Sequence, residues 1–228
     1  MSRTRNNDRT VSPVKKYIKF AGDKGLFQFY DKELGNVELE YPVKFMVLDQ
    51  LMSVGGYNAG KGAYFYSNEI HNIGTEPLKV RYRGSNTGER GGLFAEGLWE
   101  HIKEKIKSSG GKYCRVIYAM MNDEIVKLEL TGAAVSKWFE IDFDLMNNAV
   151  QIKEVGKGKK GAINYCYPVF EPLTVSEESK KKADELDIEL QKYLDVYKVA
   201  QQKPIEEESY RDTGVPPEED MPEDDTPY

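Results

Sequence analysis

The sequence predicts a mainly β protein of the α+β class, and three observations carry that expectation. Runs rich in β-branched and aromatic residues crowd into residues 14–170. Several of them alternate apolar with polar residues, most clearly at Val37, Leu39, Tyr41, Val43, Phe45 and Val47. Helical patterns are confined to three places, around residues 92–107, 132–140 and 174–202.

Taken in order, residues 1–13 hold Arg3, Arg5 and Arg9 among Asn, Ser and Thr without an apolar period, so a flexible basic arm is expected there. Strands are expected at 14–21 and 26–31. A longer one at 37–48 sets six apolar side chains on one face and Glu38, Glu40 and Lys44 on the other, which makes it half-buried and long enough to curl. Short strands follow at 62–67 and 78–83. Leu93 or Phe94, Leu98, Ile102 and Ile106 then recur at helical spacing, with Gly110-Gly111 as the stop. Residues 112–121 and 124–131 read as a hairpin turning at Asn122 and Asp123, with Cys114, Val116, Tyr118, Val126, Leu128 and Leu130 inward. A short helix at 132–140 offers Ala134, Trp138 and Phe139 to close one end of the sheet, and 149–170 reads as strand with a glycine-lysine turn.

Strands, one helix and then a hairpin is the order of a five-stranded OB barrel, whose helix plugs the barrel between its third and fourth strands. The expectation is therefore an OB-like domain over residues 14–172 with additional strands and an inserted helix. After Pro172 the pattern changes. Thr174 with Glu177 makes a capping box, and Ala183, Leu186, Leu190, Tyr193, Leu194 and Tyr197 form an apolar stripe on a long C-terminal helix ending near Gln202. That stripe is expected to pack on the barrel; a dimerising or partner-binding helix is the other reading. From Pro204 onward five prolines and few apolar residues predict a disordered tail.

Charge divides the chain. Residues 206–228 contain ten acidic residues against Arg211, a balance of −9, whereas the whole 228-residue protein carries −6, leaving +3 for residues 1–205. A body that meets a polyanion, and an acidic tail that competes with it or recruits a partner, fit this asymmetry. Two Cys and two His are too few for a disulfide framework or a four-ligand zinc site, so a reducing, cytoplasmic compartment is expected. No apolar run approaches the length of a membrane span and no signal segment opens the chain, so no membrane partner is expected.

Catalytic patterns do not hold together. Gly55 to Lys61 satisfies the G-x4-G-K part of a phosphate-binding loop, but Gly62 replaces the magnesium-binding hydroxyl and the following Ala63-Tyr64-Phe65-Tyr66 is strand-like where the loop needs a helix. A turn between two strands is expected instead. His71 and His101 are isolated, Asp142 and Asp144 read as solvated carboxylates, and Cys114 and Cys166 as buried thiols. The expectation is a protein that is not an enzyme and uses no cofactor and no metal.

The basic and aromatic rows are more informative. In residues 77–83, Leu78, Val80 and Tyr82 alternate with Lys79, Arg81 and Arg83, which puts three cations on one face about 6–7 Å apart. Lys15, Tyr17 and Lys19 repeat the arrangement, as do Tyr113 and Arg115, while Tyr64 with Tyr66, and Phe27 with Phe29, offer flat surfaces for bases. Lys157, Lys159 and Lys160 could add a loop contact. Expected phosphate-neutralising residues are therefore Lys15, Lys19, Lys79, Arg81, Arg83 and Arg115, and expected base-stacking residues Tyr17, Phe27, Tyr64, Tyr66 and Tyr113.

The final residues, Asp224-Asp225-Thr226-Pro227-Tyr228, resemble the terminal peptide of bacterial and phage single-stranded DNA-binding proteins, in which acidic residues precede a Pro and a last aromatic. Tyr228 stands where those families carry Phe. The resemblance implies an OB-fold protein of phage type that coats single-stranded DNA without sequence preference. It also implies that Asp224, Asp225, Pro227 and Tyr228 recruit replication or recombination proteins. The competing expectation is a structural or adaptor protein, a virion or replisome scaffold, with a homodimer possible through the long helix.

Overall fold

A computed structural model describes residues 11–58, 60, 62–84 and 90–202. The expected basic arm falls almost wholly outside them, and the acidic tail, with Asp224, Asp225, Pro227 and Tyr228, falls entirely outside. Among the described residues, eleven strands and three helices follow one another as β1 (Lys16–Ala21), β2 (Leu26–Asp31), β3 (Gly35–Glu38), β4 (Val43–Asn58), β5 (Ala63–Ser67), β6 (Leu78–Gly84), β7 (Arg90–Gly97), α1 (Trp99–Ser108), β8 (Gly111–Met121), β9 (Glu124–Thr131), α2 (Ala133–Phe139), β10 (Asn148–Lys160), β11 (Ile163–Thr174) and α3 (Glu177–Gln202). The protein is mainly β with a mixed sheet and a C-terminal helix.

The main path runs β3-β2-β1-β9-β8-β4-β5-β6-β7, antiparallel except between β1 and β9, which are parallel. The 16-residue β4 organises it, because different segments of this strand hold different partners. Val43, Lys44 and Phe45 pair with β10, Met46 to Gly56 pair mostly with β8, and Gly56, Tyr57 and Asn58 pair with β5. The described strands therefore form an open sheet ending at β3 and β7, in place of a closed five-stranded barrel. The β10–β11 hairpin does fold back towards the β1–β2 turn, where the Cys166 N–H donates to the Gly22 carbonyl (2.7 Å), and the Tyr41 hydroxyl donates to the Gly25 carbonyl (2.9 Å).

Three sequence expectations change. The strand expected at 37–48 is two strands, because Pro42 has no N–H to extend a ladder; the inward parity survives, with Val43, Phe45 and Val47 buried and Leu39 and Tyr41 packed beside them. The helix expected from residue 92 begins only at Trp99, since residues 90–97 pair with β6 as β7. In the β8–β9 hairpin, whose turn residues Asn122 and Asp123 both have positive φ, Val116 lies opposite Glu129 and Ile117 opposite Leu128. The expected inward set is thus divided between two faces, and β8 is buried on both.

One face of this sheet packs its main core, with Ile18, Phe27, Ile117 and Leu128 closed over by Trp138 of α2, whose ring meets Phe170 edge-on at 5.1 Å. The β5–β7 end makes a second core against Ile102 and Ile106 of α1. On the opposite face of β8 and β9, α3 lays Leu190 and Leu194 onto Val14, Leu51, Val116, Tyr118 and Ile125. The apolar stripe does what its periodicity predicts, although Ser176, not Thr174, caps the helix by accepting the Ser179 N–H (3.1 Å). Leu190 is fully buried, so Leu190→Ala removes about 2–5 kcal/mol in a urea-unfolding measurement. A loss under about 1 kcal/mol, typical of surface changes, would mean that α3 is an appendage instead of part of the core.

Candidate nucleic-acid interface

The expected row on β6 forms by simple alternation. Leu78 and Val80 are buried and Tyr82 packs on the same core, so Lys79 and Arg81 project from the other face and Arg83 takes the next position of that row. Its neighbour β5 does likewise, burying Ala63 and Phe65 and leaving Tyr64 and Tyr66 each 42% exposed. Register brings the two rows together: Tyr64 lies opposite Arg83 and Tyr66 opposite Arg81. The loop between them is fixed by Asn68, which accepts the Lys79 N–H (2.6 Å) and donates to the Pro77 carbonyl (3.0 Å).

A third tyrosine joins from β4. Tyr57 lies opposite Tyr64, is about as exposed, and its ring centroid is 4.7 Å from that of Tyr64. The sequence reading missed it because Gly55 and Gly56 looked like the start of a turn, whereas β4 continues through them to Asn58. Strand geometry there also removes the phosphate-loop reading of this segment, since a cradle of N–H groups needs a loop; Lys61 lies outside the described residues. At Gly110, with φ +88, any side chain would collide with the Tyr57 carbonyl, so the α1–β8 turn can press against the end of β4 only as glycine.

The same face of the sheet runs on to β1, with α3 lying across it over Leu51, Val116 and Ile125. Lys19 lies opposite Glu129, Glu129 opposite Val116 and Val116 opposite Leu51, and alternation along β4 then leads from Leu51 to Tyr57. Lys15, Tyr17 and Lys19 are exposed on this face, three to four strand spacings, about 14–19 Å, from the tyrosines. Carboxylates stand beside some of the cations on this face. The Lys19 ammonium stands 4.0 Å from the Glu129 carboxylate, and Lys79 is 3.7 Å from Glu96.

Beneath α3, next to Tyr17, lies a buried ion network. Lys127 Nζ is 2.7 Å from Glu69 Oε1 and 3.1 Å from Glu129 Oε1, and the Tyr118 hydroxyl donates to Glu69 Oε2 at 2.7 Å. Burial works to lower the Lys127 pKa, but the facing Glu69 and Glu129 carboxylates outweigh it and hold the ammonium well above its ordinary value. Burial likewise works to raise Glu129, and Lys127 with Lys19 outweighs it, leaving the carboxyl below its ordinary value. Burial and Glu69 push Tyr118 up, so it stays a protonated donor. Nothing in the local sequence Asn68-Glu69-Ile70 announces this role; it arises because Ile70 bridges to Met52 and draws the loop over the sheet.

Three expected contacts do not belong to this surface. Phe27 is fully buried, its ring 4.9 Å from Phe20, because the face it shares with Phe29 is the core face. Tyr113 and Arg115 point to the side opposite Lys79. Tyr113 is wedged between two cores, 5.8 Å from Trp99, and Arg115 donates to Gln50 Oε1 (2.6 Å), which also accepts from Trp138 (2.9 Å). Parity explains it: Tyr113 is opposite Val54, an inward residue.

Cys114 is buried, and the loss of hydration pushes its thiol up to about 12, while Asp144 accepts from Met146 N–H (2.9 Å) and Asn147 (2.6 Å) to shape a turn. Among the described residues no cluster of side chains could hold a metal ion, and no helix is long and apolar enough to cross a membrane. No family model, curated protein or solved structure matches the chain.

Proposed function

We propose that this protein binds single-stranded DNA without sequence preference, as a non-enzymatic, phage-type coating protein. The observation that carries the reading is the outer face of β4, β5 and β6, where three half-exposed tyrosines stand in register with a row of basic residues. Base–aromatic stacking tolerates any base, and cations at strand spacing neutralise successive phosphates. We further read the curl of β1, β2, β4 and β8–β11 around one core, closed by α2, as OB-like. Lys15, Tyr17 and Lys19 form a further exposed patch at β1, separated from the tyrosines by α3. In the tail, Asp224, Asp225, Pro227 and Tyr228 recruit replication or recombination proteins, and the acidic run competes with DNA for the body.

A salt series tests the reading. If three to five phosphates are neutralised, the logarithm of affinity for oligo-dT falls against the logarithm of salt with a slope of about −2 to −4. Removing residues 206–228 tightens binding at low salt. Affinity that ignores salt contradicts the cationic track, and equal affinities with and without the tail remove the competition.

A further inference from the structure

We propose that the outer end of the β10–β11 ribbon, residues 155–168, is a second contact for single-stranded nucleic acid, with Tyr165 and Tyr167 as its stacking platform. The proposal rests on the single-strand-binding reading and extends it to a part of the molecule that the sheet face does not reach. Four observations carry it.

The rings are seated by the register of the ribbon. Tyr167 lies opposite Gly156 and Tyr165 opposite Gly158, and each ring occupies the space that a side chain on its glycine would need. Glycine inside a strand weakens it, and a ring laid across the bare backbone compensates. The result is two half-exposed rings on one face, centroids 6.4 Å apart. That is about twice the 3.4 Å rise per nucleotide of a duplex strand, a separation suited to consecutive bases that have been unstacked.

Charge selects the ligand. Residues 155–168 include Lys157, Lys159 and Lys160 and no acidic residue. All three lysines are exposed, and none has an ion-pair partner among the described residues, whereas the neighbouring Lys153 is paired with Glu171 at 2.8 Å. Lys137 of α2, paired with Glu140 at 2.7 Å, lies 5.1 Å from the Tyr167 ring and adds no unpaired charge.

Position makes it a separate contact. β10 joins β4 at Phe45 and the sheet tyrosines join it at Tyr57, twelve residues along the same strand, up to about 40 Å apart. A strand that touches both must be long, and one short enough to sit on the sheet face alone does not feel the ribbon.

The experiment compares full-length wild type with K157A/K159A/K160A and Y165A/Y167A on poly-dT and on a short oligo-dT, with urea unfolding as a control. The lysine variant touches no core residue and keeps its unfolding midpoint. Its salt slope on poly-dT becomes shallower by about 2, at roughly 0.7 for each phosphate no longer neutralised. Y165A/Y167A binds poly-dT at least tenfold more weakly and occludes fewer nucleotides per protein, and short oligo-dT binds all three proteins alike. Wild-type binding with both variants unchanged on poly-dT overturns the ribbon contact and leaves the sheet-face reading standing. Failure of wild type itself to bind either DNA overturns both.

Discussion

K79A/R81A/R83A binds oligo-dT and mixed-sequence oligonucleotides about 10- to 100-fold more weakly than wild type, equally for both, and its salt slope is shallower by about 2. The reasoning is geometric. Their side of β6 faces away from the core built by Leu78 and Val80, so truncation leaves packing intact and the unfolding midpoint unmoved. Lys79 contributes less than a bare cation would, because the Glu96 carboxylate at 3.7 Å already offsets part of its charge. Removing Tyr57, Tyr64 and Tyr66 one at a time costs about 1–3 kcal/mol each where a base stacks, with little change in salt slope, since no charge is removed. Phe27→Ala gives the opposite signature. It opens the main core, costs about 3–5 kcal/mol of stability, and weakens binding only as far as the fold fails. Unchanged affinity in the triple variant, with a native unfolding midpoint, would place the DNA elsewhere.

Glu69→Ala costs about 3–5 kcal/mol of stability, as much as opening the main core, because it strips a buried lysine of its closest carboxylate and leaves the Tyr118 hydroxyl without its acceptor. The same network gives stability a pH profile whose two limbs have opposite signs. Glu129 has a lowered pKa in the folded protein, so its contribution is present above the unfolded value of about 4.3 and fades as pH falls through the folded value. Lys127 has a raised pKa, so its contribution is complete below about 10.4 and is lost only as pH rises through its still higher folded value. Stability therefore holds level between these limits with respect to this network, and drops on the acid side first. Unfolding free energy measured across pH in wild type and in Lys127→Met checks this, since the variant removes the alkaline limb and, by leaving the burial of Glu129 opposed only by Lys19, weakens or reverses the acid limb. Identical acid limbs in the two proteins would show that the ion pairs carry none of the dependence.

How much of this was legible in the sequence depended on whether the signal was local. Alternation placed Lys79, Arg81, Tyr64 and Tyr66 on the face away from the core, as the structure has them, because which face a residue takes within one short strand is a period-two property. The stripe on α3 was legible for the same reason at helical period. Phe27, Tyr113 and Arg115 failed on a different question: period two says that residues share a face, but not which face meets the core. That is decided by partners elsewhere in the chain, Phe20 for Phe27 and Val54 for Tyr113. Tyr57 was hidden because glycines that normally punctuate a turn here permit a close approach of backbone to backbone. Glu69 was illegible altogether, since its partners Tyr118 and Lys127 are 49 and 58 residues away in the chain. The open sheet traces to one feature that strand counting does not weigh, the length of β4, which lets it hold β10 at one end and β5 at the other.

Intrinsic fluorescence of the protein lacking residues 206–228, titrated with poly-dT at low salt, tests the central claim most directly. Stacking of bases on Tyr57, Tyr64 and Tyr66 gives saturable quenching that reverses when salt is added, and the Tyr57→Ala, Tyr64→Ala and Tyr66→Ala variants each lose part of it. Emission that stays constant through the titration, together with no gel shift of the same oligonucleotide, would contradict it.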